Sequence, residues 1–407
     1  MQTNLADFIK HTPEGKIADE ILRNCVHCGF CTATCPTYQL SGDELDGPRG
    51  RIYQIKQLLE GMPATTAMQQ HLDRCLTCRS CETTCPSGVQ YSRLLDIGRH
   101  EIEKQLSRPP VEQFKRTALR TLMLNRGLFE TTYRVAQALR PVLPEKLRAK
   151  VTPKKDAGPL PQTVHGRKML MLEGCVQPGM SPNINAATLR VLDKLGIQLL
   201  RPQNAGCCGA INLHLNAAEQ SLGDMRRNID AWWPLLEAGA ESIVVNASGC
   251  GVTVKEYGYH LRNDAEYTAK AARISAAAKD IVEILTAETE NVRVKLKPDM
   301  PPQTLAYHPP CTLQHGQKLK GSVEGLFVEL GMTVLLPQDA HLCCGSAGTY
   351  SLFQPEWSQQ LRDNKLGRLN ELKPDVILSA NIGCIGHLAG GTDTPVIHWI
   401  EYLDTLL

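Results

Sequence analysis

Apolar residues recur along this chain in two rhythms, one after the other. In the first third they keep the 3.6-residue spacing of amphipathic helices. Lys16–Asn24 predicts a short helix that delivers the chain to Cys25. Arg49–Glu60 predicts a second, with Ile52, Ile55, Leu58 and Leu59 on its apolar face, Pro48 near its start and Gly61 closing it. The stretch before it, Gly42–Gly50, is rich in turn formers. Residues 66–74 bring the chain back, and Tyr91–Gln105 predicts a closing helix. Two more helical pieces, near 111–124 and 129–140, lie between prolines 109, 110, 141 and 144. The Pro- and Lys-containing stretch 151–166 predicts a linker.

From Arg167 the rhythm changes to short apolar runs alternating with helical stretches, the mark of α/β folding. Strands are expected at Lys168–Glu173, Ile197–Leu200 and Ser242–Ala247, and again at Thr304–His308, Thr333–Leu336 and Val376–Ala380. Helices are expected at Asn185–Leu195 and through Asn228–Trp233. The second trio of strands repeats the first at an offset of 136 residues, an internal duplication. The expected class is α+β multidomain. A helical domain fills 1–107, a basic helical linker 108–166, and two α/β repeats 167–300 and 301–407.

Composition narrows the function. A chain of 407 residues with 42% hydrophobic content can build two or three sizeable cores. A net charge of +2 argues against general nucleic-acid binding. The charge is uneven, however. Residues 101–168 hold 15 Lys or Arg against 6 Asp or Glu. That segment reads as a solvated linker with packing helices, or as a face for an anionic membrane surface or an acidic partner. Met1–Lys10 has no apolar run, so no secretory signal is expected, and no run of 18 apolar residues predicts a membrane span. The expected location is cytoplasmic, with peripheral contact to the inner membrane face left open. No Gly-x-Gly-x-x-Gly opens a helix after a strand and no Walker A run exists, so no nucleotide fingerprint is present. Trp232-Trp233 reads as packing or interface.

Sixteen cysteines carry the chemistry. Cys25, Cys28, Cys31, Cys35 and Pro36 spell C-x2-C-x2-C-x3-C-P, and Cys75, Cys78, Cys81, Cys85 and Pro86 spell it again 50 residues later. This is the spacing of a bacterial ferredoxin with two [4Fe–4S] clusters, in which the fourth cysteine of each run ligates the other cluster. One cluster is assigned to Cys25, Cys28, Cys31 and Cys85, the other to Cys75, Cys78, Cys81 and Cys35. Three thiolates within seven residues curl the backbone round one cluster; the fourth lies past the curl and faces its neighbour. Disulfides fit a long chain without a secretory signal poorly. Zinc favours ligands in two pairs over two matched runs of four.

The other eight cysteines follow expected strands. Cys175, Cys207, Cys208 and Cys250 form one set; Cys311, Cys343, Cys344 and Cys384 form the other. Cys175 to Cys207 and Cys311 to Cys343 are both 32 residues apart. Loops after parallel strands open on one side of a sheet, where ligands collect. Each set is therefore expected to converge as a candidate metal site.

The Cys…Cys-Cys-Gly…Cys repeats resemble the cysteine-rich CCG domain of heterodisulfide-reductase-type subunits. A two-cluster ferredoxin followed by two such repeats resembles the iron–sulfur subunits of glycolate oxidase, lactate-utilisation and anaerobic glycerol-3-phosphate dehydrogenase complexes. The stretches beginning at Cys25, Gly42, His71 and Asn228 favour the glycolate oxidase type. The resemblance implies an electron-transfer subunit of a flavin-dependent 2-hydroxy-acid dehydrogenase. FAD and glycolate oxidation to glyoxylate would belong to a separate flavoprotein subunit, with a quinone as one acceptor. It departs at one point. The reductase-type domain ends in a C-x-x-C pair, but here Thr253 follows Cys250 and His387 follows Cys384 at that place. Each repeat thus offers four cysteines, and a cubane cluster, zinc or a thiol pair all remain open. His387 stands as a candidate imidazole ligand or as a histidine outside the ligand set. The alternatives to electron transfer are a lactate, glycerol-3-phosphate or heterodisulfide oxidoreductase subunit with its own catalysis at the CCG site, and a non-catalytic redox sensor.

Overall fold

The computed structural model describes residues 1–148, 150–298 and 303–407. The expected boundary between the repeats, at 300/301, lies outside them. The chain divides into two compact units, Met1–Lys115 with His341–Leu361, and Arg116–Ala340 with Arg362–Leu407.

The first unit is helical. Helix α1 spans Pro13–Asn24, with Pro13 at its first position and the Thr12 side chain accepting from the Gly15 N–H. Helix α2 spans Pro48–Leu59 and again starts on a proline. Thr65 caps α3, Thr66–Asp73, by accepting from the Met68 N–H. Helix α4 spans Tyr91–Gln105. Leu22, Ile55, Leu58, Leu59, Leu72, Leu94 and Leu95 are fully buried together. Each such side chain contributes about 1.5–3 kcal/mol through burial. The ligand loops are short and irregular, so these helices hold them in place. Helix α5, Pro110–Leu124, has no buried residue; α6, Arg126–Leu139, buries Phe129.

The second unit holds two parallel sheets. The first contains β1 (Arg167–Met171), β2 (Ile197–Leu200), β3 (Ile243–Val245) and β4 (Ala278–Asp280), in the order β2-β1-β3-β4. The second contains β5 (Leu305–His308), β6 (Val334–Leu335), β7 (Val376–Ser379) and β8 (Val396–His398), in the order β6-β5-β7-β8. The topologies match, as the duplication requires. Met169 pairs with Leu199, and Leu305 with Val334. Helices α7 (Pro182–Lys194), α8 (Ala218–Glu237), α9 (Ser248–Lys255), α10 (Ile281–Ala287), α11 (Ile382–Ala389) and α12 (Trp399–Leu406) fill the connections. Trp232 of α8 is completely buried and stacks on Tyr257, with ring centroids 6.3 Å apart.

The sequence reading anticipated three strands per repeat, and the structure has four. Strands β4 and β8 are three residues each, Ala-Lys-Asp and Val-Ile-His, too short to show a period. Each ends in a buried residue that caps the next helix. Asp280 opens α10 with Glu283 in a capping box, and His398 opens α12 with Glu401 in the same arrangement. The repeats meet inside this unit: the Ser248 N–H donates to the Ala380 carbonyl at 3.1 Å, and Arg190 pairs with Asp404 at 2.6 Å.

Asp280 makes the fold pH-sensitive. Burial pushes its carboxyl up to about 6, against the Val282 N–H and the Gln317 amide, which favour the ionised form. Its folded value lies above the unfolded one, so stability is lost as pH rises from about 4 through about 6, amounting to about 3 kcal/mol above that window. Asp280→Asn keeps a capping oxygen and removes the charge. Its urea stability relative to the parent should improve from pH 5 to pH 7.5 by about 1.5 kcal/mol. A parallel pH dependence in the two proteins would assign the slope elsewhere.

Candidate metal centres

The two ligand runs fold as copies. His27 and Thr77 both have positive φ, at 56° and 53°, and so do Gly29 and Arg79, at 86° and 60°. These left-handed residues turn the loop so that N–H groups point inward. The Thr77 N–H donates to Cys75 Sγ at 3.5 Å, and the His27 N–H serves Cys25 in the same way. Pro36 begins a helix, Pro36–Ser41, directly after Cys35.

The grouping of sulfurs is crossed. Cys31 is pushed up to about 11 by burial, with Cys25, Cys85 and Cys28 adding to the rise. Burial holds Cys81 well above the usual thiol range, followed by Cys78, Cys75, Glu82 and Cys35. Cys35, Cys75, Cys78 and Cys81 line one cavity together. The fourth cysteine of each run thus stands with the other run. Four thiolates grouped this closely repel one another and are held together by a cation, which suits an iron–sulfur core. None of the sixteen cysteines forms a disulfide.

A buried polar shell flanks the Cys35 group. Arg51 is 1% exposed; its Nε donates to the His71 carbonyl at 2.8 Å and its Nη1 to Thr37 Oγ1 at 3.1 Å. Asp46, also 1% exposed, stands 3.5 Å from Arg51, 3.0 Å from Arg74 and 2.9 Å from His71 Nδ1. Burial opposes the Arg51 charge, but Cys75, Tyr91, Cys35 and Asp46 outweigh it and hold its pKa well up. Thr37 Oγ1 lies 3.2 Å from Cys35 Sγ. The stretch His341–Leu361 completes this side of the first unit. Trp357 lies under the Arg74 guanidinium, 4.8 Å from the ring centroid. Burial pushes the Tyr350 phenol up, Arg51 opposes, and Cys75 and Cys343 add to the rise. Tyr350 therefore has Cys75 of one centre and Cys343 of the second repeat as neighbours.

In the second unit, the first scattered set forms a chain of neighbours: Cys175 lies beside Cys207, Cys207 beside Cys208, and Cys208 beside Cys250. The bond from Cys207 and burial push Cys175 well up. Cys207 is drawn down by Cys175, yet Cys208 and burial leave it raised. Asn228 of α8 fixes the doublet: its amide donates to the Cys207 carbonyl at 2.7 Å and accepts from the Gly206 N–H at 2.8 Å. Tyr257 donates to the Cys208 carbonyl at 3.0 Å.

The glycine of each Cys-Cys-Gly has a defined task. Gly209 and Gly345 have φ of 95° and 87°. That backbone aims the Gly N–H at the first cysteine of the doublet, 3.4 Å from Cys207 Sγ and from Cys343 Sγ. Ser221 and Ser358 donate to the two glycine carbonyls at 3.0 and 2.8 Å. A Cβ at Gly345 would stand 2.5 Å from the Ser358 carbonyl oxygen. No side chain fits.

The second set is divided between the units. Cys343 and Cys344 are buried in the first; Cys311 and Cys384 are buried in the second. His387 lies in the last turn of α11, one turn beyond Cys384. The imidazole whose ligand atom lies within 4.8 Å of Cys384 Sγ belongs to His308. Sequence reasoning passed over His308, Tyr257, Arg51 and Tyr350. For Arg51 a signal existed, since Asp46, Arg51, His71 and Arg74 all fall in the motif stretches beginning at Gly42 and His71.

Comparison with known proteins agrees with this layout. The 4Fe-4S dicluster domain family matches residues 21–89, and the cysteine-rich domain family, CCG, matches 169–255 and 305–389. The dicluster match implies two iron–sulfur clusters in the first unit. The chain is 54% identical to the glycolate oxidase iron–sulfur subunit of Escherichia coli, over 100% of this chain and 99% of that protein. It is 31% identical to a probable glycolate oxidase iron–sulfur subunit of Bacillus subtilis, over 93% and 90%. Lactate utilization protein A of Geobacillus thermodenitrificans is 27% identical over 58% of this chain and 98% of that protein.

The crossed grouping is testable by substitution. Cys35→Ser should cost about four irons per chain and leave Cys75, Cys78 and Cys81 open to alkylation. Cys85→Ser should instead open Cys25, Cys28 and Cys31. The reverse labelling pattern would mean uncrossed ligation.

Proposed function

The chain belongs to the family of glycolate oxidase iron–sulfur subunits, and we propose that it carries electrons from a partner flavoprotein through its two clusters to the second CCG repeat. When bound, each [4Fe–4S] cluster takes and gives one electron at a time. Glycolate oxidation to glyoxylate releases two electrons and two protons. An FAD-binding partner subunit accepts the pair, this chain passes the electrons singly, and a quinone taking two electrons and two protons closes the balance.

One observation carries the order of transfer: the buried Tyr350 phenol feels the charge of both Cys75 and Cys343 in the first unit. The charges point the same way. Arg51, buried and fixed beside Cys75 and Cys35, favours the more negative, reduced state of that centre. Arg49, near Cys31, is 36% exposed and paired with Glu44, so solvent screens it. Electrons entering at the Cys25 group are then drawn toward the Cys35 group. The two CCG sets are metal sites in this reading, supported for the first by its chain of neighbouring cysteines and for the second by the repeated spacing. An iron–sulfur cluster is preferred over zinc, because zinc adds no redox chemistry. The domain bounds 1–107, 108–166, 167–300 and 301–407 belong to the same proposal.

Anaerobically purified protein should contain about eight irons with acid-labile sulfide from the ferredoxin-type centres alone. Mixed with its co-purifying flavoprotein, it should be reduced by glycolate and not by glycolate without that partner. Disulfide turnover by the isolated chain would overturn electron carriage in favour of catalysis at the CCG site, and absence of any flavoprotein at native expression would favour the sensor reading.

No helix among the described residues is long and apolar enough to cross a membrane. Within the basic segment, Val111, Phe114, Leu128, Val135 and Leu139 are exposed. We propose that this segment rests on anionic lipid, at the inner face of the cytoplasmic membrane. Sedimentation with anionic liposomes should fall steeply as salt rises past physiological strength, where the Debye length is about 8 Å. Deleting 111–140 should abolish it, and salt-independent or absent sedimentation would return the segment to a linker.

A further inference from the structure

The second repeat is not a plain copy of the first. Strand β5 is buried along its whole length and ends at His308, three residues before Cys311. The matching position of the first repeat, three residues before Cys175, is Leu172. Leu172 is buried and apolar. His308 has 0% exposure, yet neither Nδ1 nor Nε2 meets a hydrogen-bond partner among the described residues. A neutral imidazole carries one N–H donor and one acceptor nitrogen, and a buried polar atom left unpaired calls for an explanation. The backbone here is fully served: the His308 carbonyl accepts from Ser379 Oγ at 3.0 Å, which ties the strand end to β7. A ligand nitrogen of the ring and Cys384 Sγ lie within 4.8 Å of each other, both inside the second unit. The Asn381 amide donates to that sulfur at 3.6 Å.

We infer that His308 is a metal ligand together with Cys384, so that the second repeat builds a mixed nitrogen–sulfur centre where the first builds an all-sulfur one. The unpaired imidazole, its neighbour sulfur and the leucine at the equivalent place are the observations that carry it. Two donor atoms within 4.8 Å fit one ion, with metal–sulfur and metal–nitrogen bonds of about 2.3 and about 2.0 Å. On iron, imidazole in place of thiolate raises the reduction potential. That suits the centre nearer the exit of an electron path.

The inference rests on the reading of the second set as a metal site, and the test separates the two. Full-length protein is purified anaerobically as the parent and as Cys384→Ser, His308→Ala, His308→Cys and His387→Ala, and iron and zinc are counted. The metal lost in Cys384→Ser defines the second centre. His308→Ala should lose the same metal, His387→Ala should keep it, and His308→Cys should retain it with an altered spectrum. In parent protein carrying 15N-histidine, pulsed EPR should show a nitrogen coupled to iron if that metal is iron. X-ray absorption should show imidazole scattering if it is zinc. Should His308→Ala fail to fold, the His308→Cys and 15N results decide alone. Loss of no metal in Cys384→Ser overturns the metal-site reading itself. Full retention in His308→Ala, or a nitrogen signal surviving in His308→Cys and lost in His387→Ala, overturns the role of His308.

Discussion

Thiolates repel one another, and burial makes each harder to ionise. That constraint shapes the whole chain. A group of buried cysteines is tolerable as neutral thiols or around a cation, and costly as bare thiolates. The first unit meets it with loops whose left-handed residues aim N–H groups at sulfur, His27 to Cys25 and Thr77 to Cys75. The two CCG repeats meet it with a glycine N–H aimed at the first cysteine of each doublet. The helical core of the first unit and the two sheets of the second hold these geometries still.

Local chemistry was readable where the chain writes it in consecutive residues. The two ferredoxin runs, the α1, α2 and α4 helices, and six of the eight strands follow from spacing and apolar period. The match of Tyr91–Gln105 to α4 is complete. What escaped was set by tertiary context. Ala278-Lys-Asp forms a strand because it lies beside β3, not because its residues favour one. Asp280 and His398 are buried caps in the two repeats, yet as isolated letters they have nothing in common. A lone histidine before Cys311 carries no sign that both its nitrogens end up unpaired. His387, at the place of a missing cysteine, was the more visible candidate in the sequence; His308 is the one the fold sets beside Cys384.

The duplication explains both the likeness and the difference of the repeats. Sheet order, the Cys-Cys-Gly turn and the serine on the glycine carbonyl recur, because each is needed to present the doublet. Side chains that only surround the sulfurs are free to diverge. Asn228 and Tyr257 clamp the first doublet through its carbonyls. In the second repeat the stretch containing the doublet, His341–Leu361, is packed in the first unit, with Trp357 under Arg74.

That packing gives the polar shell of the first unit its purpose. A buried Arg51–Asp46 pair is an expensive way to gain stability, since desolvation consumes much of the attraction. Hydrophobic side chains of equal volume would hold the helices as well. What they would not supply is a permanent positive charge beside Cys75 and Cys35. Asp46 does not cancel it, because Arg74 also lies on that carboxylate. The cation count around the Asp46 carboxylate thus exceeds its single negative charge, and the surplus faces sulfur. Tyr350 is buried beside the same group and Trp357 lies under Arg74, so apolar rings there lower the local dielectric and lengthen the reach of that charge. Removing the aromatic cover would therefore weaken the field at the sulfurs without touching a ligand.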